Sequence, residues 1–157
     1  MSETYTTVPS PVGELLLTAE DGQLTGLYMP AEEHAPPPGA RRDDGAFATT
    51  RRQLEEYFAG ERHSFDLPVA PAGTPFQQHV WKQLQRIGYG ETISYGELAS
   101  RIGRPGATRA SGAANGANPV SIVIPCHRVI GSTGTLTGYG GGLEAKRFLL
   151  ELERASA

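Results

Sequence analysis

The chain has 157 residues, 38% of them hydrophobic, enough for one or two small domains around a proper core. It has no apolar run long enough to cross a bilayer and no signal-peptide pattern at its start, so a cytoplasmic protein is expected, and its single cysteine excludes an internal disulfide. The net charge of −3 is unevenly spread: residues 1–74 hold 5 Lys/Arg against 12 Asp/Glu, and residues 75–157 hold 9 against 5, so the acidic total hides a basic half of the kind that neutralises phosphates.

Short runs at residues 5–8, 14–18 and 23–28 are separated by Pro9-Ser10-Pro11, Gly13 and the hairpin signal Asp21-Gly22, and they predict a small antiparallel meander. Residues 31–45, with three consecutive prolines and mixed charges, read as a loop, and Leu54, Tyr57 and Phe58 give residues 47–59 helical spacing. Residues 64–67 read as an edge strand and 68–73 as a linker. The chain thus divides into 1–70, a link at 71–75, and 76–157. Val80, Trp81, Leu84 and Ile87 mark one helix, and Ser94-x-x-Glu97 is a capping box opening a second that runs to Ile102. Gly103-Arg104-Pro105-Gly106 then turns into a third helix of small residues at 107–115. Two short helices across a glycine turn suggest helix-turn-helix, a pattern shared by αα-hairpins that never touch nucleic acid. Residues 121–124 form a β-branched run that reads as a buried strand ended by Pro125. Residues 143–153 predict an amphipathic helix, with Leu143, Lys146/Arg147 and Leu150 on adjoining turns. Glu151 and Glu153 near its end oppose the macrodipole unless His127 or an arginine compensates them.

The chemistry concentrates at Ile124-Pro125-Cys126-His127-Arg128-Val129, where a thiol is followed at once by an imidazole and a guanidinium. Cationic neighbours favour the nucleophilic thiolate. Downstream, Gly138-Tyr139-Gly140-Gly141-Gly142 can expose backbone N–H groups and admit another molecule close to the main chain. An arbitrary lone cysteine is more often a small buried hydrophobe; the strand end, the glycine loop and the closing helix together weigh against that here. His34, His63 and His79 are scattered, and no Cys/His cluster has zinc-ligand spacing, so no metal is indicated.

Pro125-Cys126-His127-Arg128-Val129, the preceding Asn118-Pro119-Val120, the following Gly138-Tyr139-Gly140-Gly141 and the Leu149-Leu150-x-x-Glu153 ending resemble the methylated-DNA–protein-cysteine methyltransferases, also called O6-alkylguanine-DNA alkyltransferases. The resemblance runs from about Phe76 to Glu153; residues 1–70 match only in layout. It implies an α/β protein: a small N-terminal RNase-H-like α/β domain and a mostly helical, winged-helix-like C-terminal domain with the helix-turn-helix. It also implies DNA repair by stoichiometric transfer of an alkyl group from O6-alkylguanine, with O4-alkylthymine left open, to a thiol that is never regenerated. By resemblance Cys126 is the acceptor, His127 the base acting through a water, Glu153 its orienting partner, and Tyr95 the hydroxyl reaching guanine N3. Arg109 matches the arginine that replaces the flipped nucleotide, with Ala107, Thr108, Ala110 and Asn115 beside it on the DNA-binding helix. Asn118 and Arg128 match structural positions; Val129, Tyr139, Gly140 and Gly141 match the pocket walls. The partner implied is alkylated double-stranded DNA, bound through its minor groove by a monomer, with no cofactor and no membrane. Flipping is required because a buried thiol cannot reach O6 in a stacked base.

Departures exist. Ser111 stands where the recognition helix usually has valine, and Ala117 where many bacterial members have a basic or polar residue, so fewer phosphate contacts are expected; Gly140 and Ser121 suggest a roomier pocket. Two other classes would use the same residues. A cysteine hydrolase would turn over and need an oxyanion hole, for which the amides of residues 140–142 are the candidates. A non-catalytic sensor or helix-turn-helix regulator would bind through Arg109 and Tyr95 without chemistry, and the related sensors replace the cysteine that is retained here.

Overall fold

In the computed structural model, which describes residues 3–136 and 139–157, Asp21 and Gly22 both adopt positive φ (52° and 77°), the backbone of a two-residue type I′ hairpin. Gly138 of the glycine-rich stretch and the first two residues lie outside the described residues. The hairpin joins β2 (Leu15–Glu20) to β3 (Gln23–Tyr28), and β1 (Glu3–Val8) pairs antiparallel with β2. A two-residue β4 (Arg41–Arg42), inside the stretch expected to be loop, adds parallel to β1 and gives the order β3-β2-β1-β4. The expected meander therefore stands with one strand added. Helix α1 (Ala48–Phe58) follows and buries Leu54 and Tyr57.

The outer edge of β3 is covered by two single-residue parallel pairings. Leu24 N–H donates to Pro68 O and Ala70 N–H to Leu24 O; Leu27 N–H donates to Pro119 O and Ser121 N–H to Leu27 O. In each case a proline lends its carbonyl, and its missing N–H stops the ladder from extending. This corrects two expectations. Residues 64–67 are not a strand, and the edge pairing falls on Val69, in the stretch read as linker.

Residues 121–124 are not a strand either. Val123 N–H bonds to Ser121 O, Ile124 N–H to Val120 O, and Ile122 has φ 71°, an unusual conformation for a β-branched residue. The cause is Asn118, whose amide takes the place of a neighbouring strand: Oδ1 accepts from Val120 N–H (3.0 Å) and Nδ2 donates to Ile124 O (2.8 Å). The apolar run is buried, as its hydrophobicity requires, but coiled rather than extended.

Thr74 caps α2 (Pro75–Leu84) in a complete capping box with Gln77, and Trp81 Nε1 on that helix donates to Ala114 O (2.8 Å). β5 (Ile93–Ser94) leads into α3 (Tyr95–Arg101), and α4 (Thr108–Gly116) follows across a turn containing Gly103 at φ 76°. Only half of the expected second capping box forms: Ser94 Oγ accepts from Glu97 N–H, while the Glu97 side chain pairs with Arg101 (3.2 Å). β6 (Val129–Ile130) lies parallel to β5, and α5 (Leu143–Ser156) closes the described chain. One apolar core joins the sheet, α1, α2, α3 and α5 through Leu17, Leu54, Trp81, Leu98 and Leu149. α5 is amphipathic as expected, burying Lys146, Leu149, Leu150 and Glu153, while Leu143 at its start is 48% exposed. No described helix is long and apolar enough to cross a membrane.

Candidate active site

Cys126 opens a single turn of 3-10 helix, Cys126–Arg128, so consecutive side chains leave the backbone about 120° apart and meet different surroundings. The cysteine is 4% exposed; Asn115 Nδ2 on α4 donates to its carbonyl (3.3 Å). Burial pushes its thiol up to about 11, against the pull of hydrogen bonding from Asn118 and Ser121 and of the Lys146 charge, while Glu32 adds to the rise. The sequence expectation of a resting thiolate is therefore corrected. The imidazole and guanidinium that follow Cys126 both turn to Glu153.

Glu153 on α5 is 1% exposed. Its Oε1 accepts from Arg128 Nε (2.8 Å) and Gly90 N–H (3.4 Å); its Oε2 accepts from the Tyr57 hydroxyl (2.6 Å), His127 Nε2 (2.7 Å) and Arg128 Nη2 (3.0 Å). Burial alone would raise this carboxyl, but the hydrogen bonds from His127 and Arg128 and the Arg128 charge outweigh it and hold it well below the usual carboxylate range. An ionised carboxylate can only accept, so Nε2 carries the ring proton. Burial also lowers the His127 pKa, leaving a neutral ring whose bare nitrogen is Nδ1. Nδ1 is buried and has no partner among the described residues. Arg128 Nη1 donates to Ile87 O (2.6 Å), so the guanidinium is fully engaged in structure. It also neutralises the glutamate that the helix dipole disfavours, as the sequence required of some cation.

Lys146, two turns before Glu153 on the same face of α5, is wholly buried. Its ammonium donates to Val129 O (2.7 Å) and lies 5.8 Å from the Tyr95 ring centroid. Burial lowers its pKa to about 8, with the Cys126 charge pulling it back up. Tyr95 is the first residue of α3, and the parallel pairs Ile93–Val129 and Ser94–Ile130 tie it to the turn carrying Cys126. Burial raises the Tyr139 hydroxyl well above its ordinary value, and the Cys126 and Glu32 charges raise it further. The thiol thus has Lys146, Tyr139, Glu32, Asn118 and Ser121 acting on it. The metal question is simple: no cluster of His, Cys, Asp and Glu suited to an ion occurs among the described residues.

On α4, Thr108, Arg109 and Ala110 are exposed and Ala107 is half-buried. Asn115, expected to face DNA, is 1% exposed and holds the Cys126 carbonyl instead, because it lies on the opposite side of the helix, facing the core. Val129 is wholly buried, Gly140 is exposed and Gly141 is buried. Of the basic residues in the C-terminal half, Arg128 and Lys146 are spent inside and cannot meet phosphates.

The family description "6-O-methylguanine DNA methyltransferase, DNA binding domain" matches residues 75–155, and the accompanying ribonuclease-like domain matches residues 4–71. The chain belongs to this family. It is 52% identical to the methylated-DNA–protein-cysteine methyltransferase of Mycobacterium tuberculosis over 159 residues, covering 98% of this chain and 93% of that protein. To the constitutive enzyme of that name from Bacillus subtilis it is 45% identical, covering 97% and 96%. Among solved structures, M. tuberculosis OGT in complex with DNA superimposes with a TM-score of 0.93 at 52% identity, covering 98% of this chain and 94% of that one. An α/β ribonuclease-like half and a helical DNA-binding half are the family architecture, as the resemblance implied.

Tyr57, Lys146 and Glu32 escaped the sequence reading of the site. Tyr57 reaches Glu153 across a separation of 96 residues and offers no local signal. Lys146 did leave one: it stands in the same stripe of α5 as Leu149, Leu150 and Glu153, a cation in the position of a core residue.

Proposed function

We propose that the chain repairs DNA by moving an alkyl group from O6 of a flipped-out guanine to Cys126 in a single, irreversible step. The observation that supports it best is the neutral His127 ring, with Nε2–H held by an ionised Glu153 and Nδ1 bare, in the same turn as a protonated thiol. With a thiol near 11, only a minute fraction is thiolate at neutral pH, so a base must take the proton as attack begins. His127 Nδ1 is that base, through a water; Glu153 stabilises the imidazolium that results. The sulfur pair forms the S–C bond as the C–O6 bond breaks, the electrons stay on guanine, and Tyr95 supplies a proton at N3. No cofactor enters. Double-stranded DNA is the partner; Arg109, exposed on α4 between Thr108 and Ala110, fills the space of the flipped base from the minor groove. Tyr139, Gly140, Gly141 and Val129 wall the pocket, and Asn118 and Arg128 hold the scaffold. The working form is a cytoplasmic monomer, divided functionally at residues 71–75.

The test is intact-mass spectrometry after incubation with a duplex containing O6-methylguanine. One methyl group per protein, mapped to Cys126, plateauing with excess substrate and absent in Cys126→Ser, is expected. Multiple turnovers would favour a hydrolase, and binding without any mass gain would favour a sensor.

A further inference from the structure

We propose that Glu32 is a specificity determinant for this reaction: its carboxylate screens the charge of the group delivered to Cys126, passing neutral groups and repelling anionic ones. The inference rests on Cys126 as the alkyl acceptor. Glu32 ends the short 3-10 helix Pro30–Glu32 that follows β3, and its Oε1 accepts from Met29 N–H (2.8 Å), fixing the carboxylate against its own turn. That turn packs on the glycine loop. A Cβ on Gly140 would stand 3.3 Å from Glu32 Oε2, and one on Gly141 would stand 2.6 Å from Met29 Cγ. The two glycines thus let the N-terminal half press a carboxylate against the pocket wall.

Glu32 is half-buried, and its charge is felt by both Cys126 and the Tyr139 hydroxyl. No ion pair neutralises it among the described residues; burial raises its pKa, and the Met29 N–H bond and the nearby His34, exposed and stacked on Tyr28 at 3.7 Å, pull it back down. An alkyl group passing from O6 to sulfur lies between the guanine and Cys126, in the pocket that the proposed function walls with Gly140 and Gly141. A methyl group is indifferent to Glu32. A carboxymethyl group carries a like charge, and if the two charges are taken to be ~7 Å apart the repulsion slows transfer by about threefold with bulk-water screening and about fiftyfold at an effective dielectric of ~20.

The experiment compares duplexes carrying O6-carboxymethylguanine and the isosteric, neutral O6-carbamoylmethylguanine in single-turnover reactions, with O6-methylguanine as reference. In both, sulfur displaces guanine O6 at a CH2 carbon and the thiol proton leaves through His127, so the pair matches in shape and differs in charge and in the amide's N–H donors, which the Glu32 variants separate. The carbamoylmethyl-to-carboxymethyl rate ratio is expected to fall by threefold to fiftyfold in Glu32→Gln, which keeps the acceptor for Met29 N–H, and to fall further in Glu32→Lys. Glu32→Asp keeps most of the wild-type ratio. An unchanged ratio in Glu32→Gln and Glu32→Lys overturns the proposal. So does an equal acceleration of both substrates, which would assign Glu32 to thiol acidity only. Failure of the wild-type protein to methylate Cys126 from O6-methylguanine would instead defeat the underlying reading of the site.

Discussion

Replacing Glu153 by glutamine tests the buried ion cluster directly. The carboxylate accepts from Tyr57, His127, both forks of Arg128 and Gly90; an amide in its place presents an NH2 where only acceptors fit and leaves the Arg128 guanidinium buried without its counter-charge. Breaking one side of such a pair costs about 3–5 kcal/mol, which for a domain of this size lowers Tm by about 6–20 °C at roughly 2–4 °C per kcal/mol. Trp81, the single tryptophan and fully buried, reports unfolding by fluorescence. Glu151→Gln, on the exposed face of the same helix, is the control and should stay within about 0.5 kcal/mol. The pH dependence has a definite sign. Glu153 has its folded pKa depressed, so its contribution is present above the unfolded carboxylate value of roughly 4.3 and is lost as pH falls from there toward the folded value. The gap between wild type and variant should therefore be constant near neutrality and narrow below about pH 4. A cost below about 1 kcal/mol, or a gap undiminished at pH 3, would refute the account of Glu153 as an ionised hub.

Arg109→Ala should slow repair of duplex DNA far more than reaction with free O6-benzylguanine, since only the duplex needs a base held out of the stack; equal losses would remove the intercalating role. Tyr95→Phe should keep DNA binding and lower the single-turnover rate by roughly 10–10⁴-fold, the lower bound allowing for a substitute water, and an unchanged rate would make Tyr95 a packing residue. The reaction with free O6-benzylguanine should hold a plateau while His127 is neutral and Lys146 charged, and decline as pH rises through about 8, where the ammonium that offsets the developing thiolate loses its proton. Lys146→Met should lower the plateau and abolish that alkaline limb; a limb that persists would clear Lys146 of any part in it.

The legible parts of this chain were those governed by short-range rules. Asp21-Gly22 specified its hairpin because both residues tolerate positive φ, the helical spacing around Tyr57 located α1 within a residue at either end, and Val80, Trp81 and Leu84 fall on α2. Residues 121–124 were misread because β-branched composition reports burial, and nothing local says that an asparagine three to six positions earlier will satisfy the backbone in place of a strand. Asn115 was misassigned for a related reason. A helix of small residues has no strong apolar face, so its sequence does not say which side meets the core.

The thiol carries the deepest of these lessons. Its neighbours in sequence are a histidine and an arginine, yet one 3-10 turn sends both to Glu153, and the groups that act on sulfur come from Asn118, Ser121, Lys146 and Glu32. Desolvation then prevails over the available cation, and the cysteine rests as a thiol. For a residue that can be used only once this is the favourable arrangement, because thiolate character governs oxidation as well as attack. In the proposed mechanism, reactivity is withheld until a substrate in the pocket allows the proton to pass to His127 as the S–C bond forms. The buried groups around α5 serve that delay: burial keeps the His127 ring neutral, Glu153 orients it and favours the imidazolium once the proton arrives, and Lys146 lies beside the site where the negative charge develops.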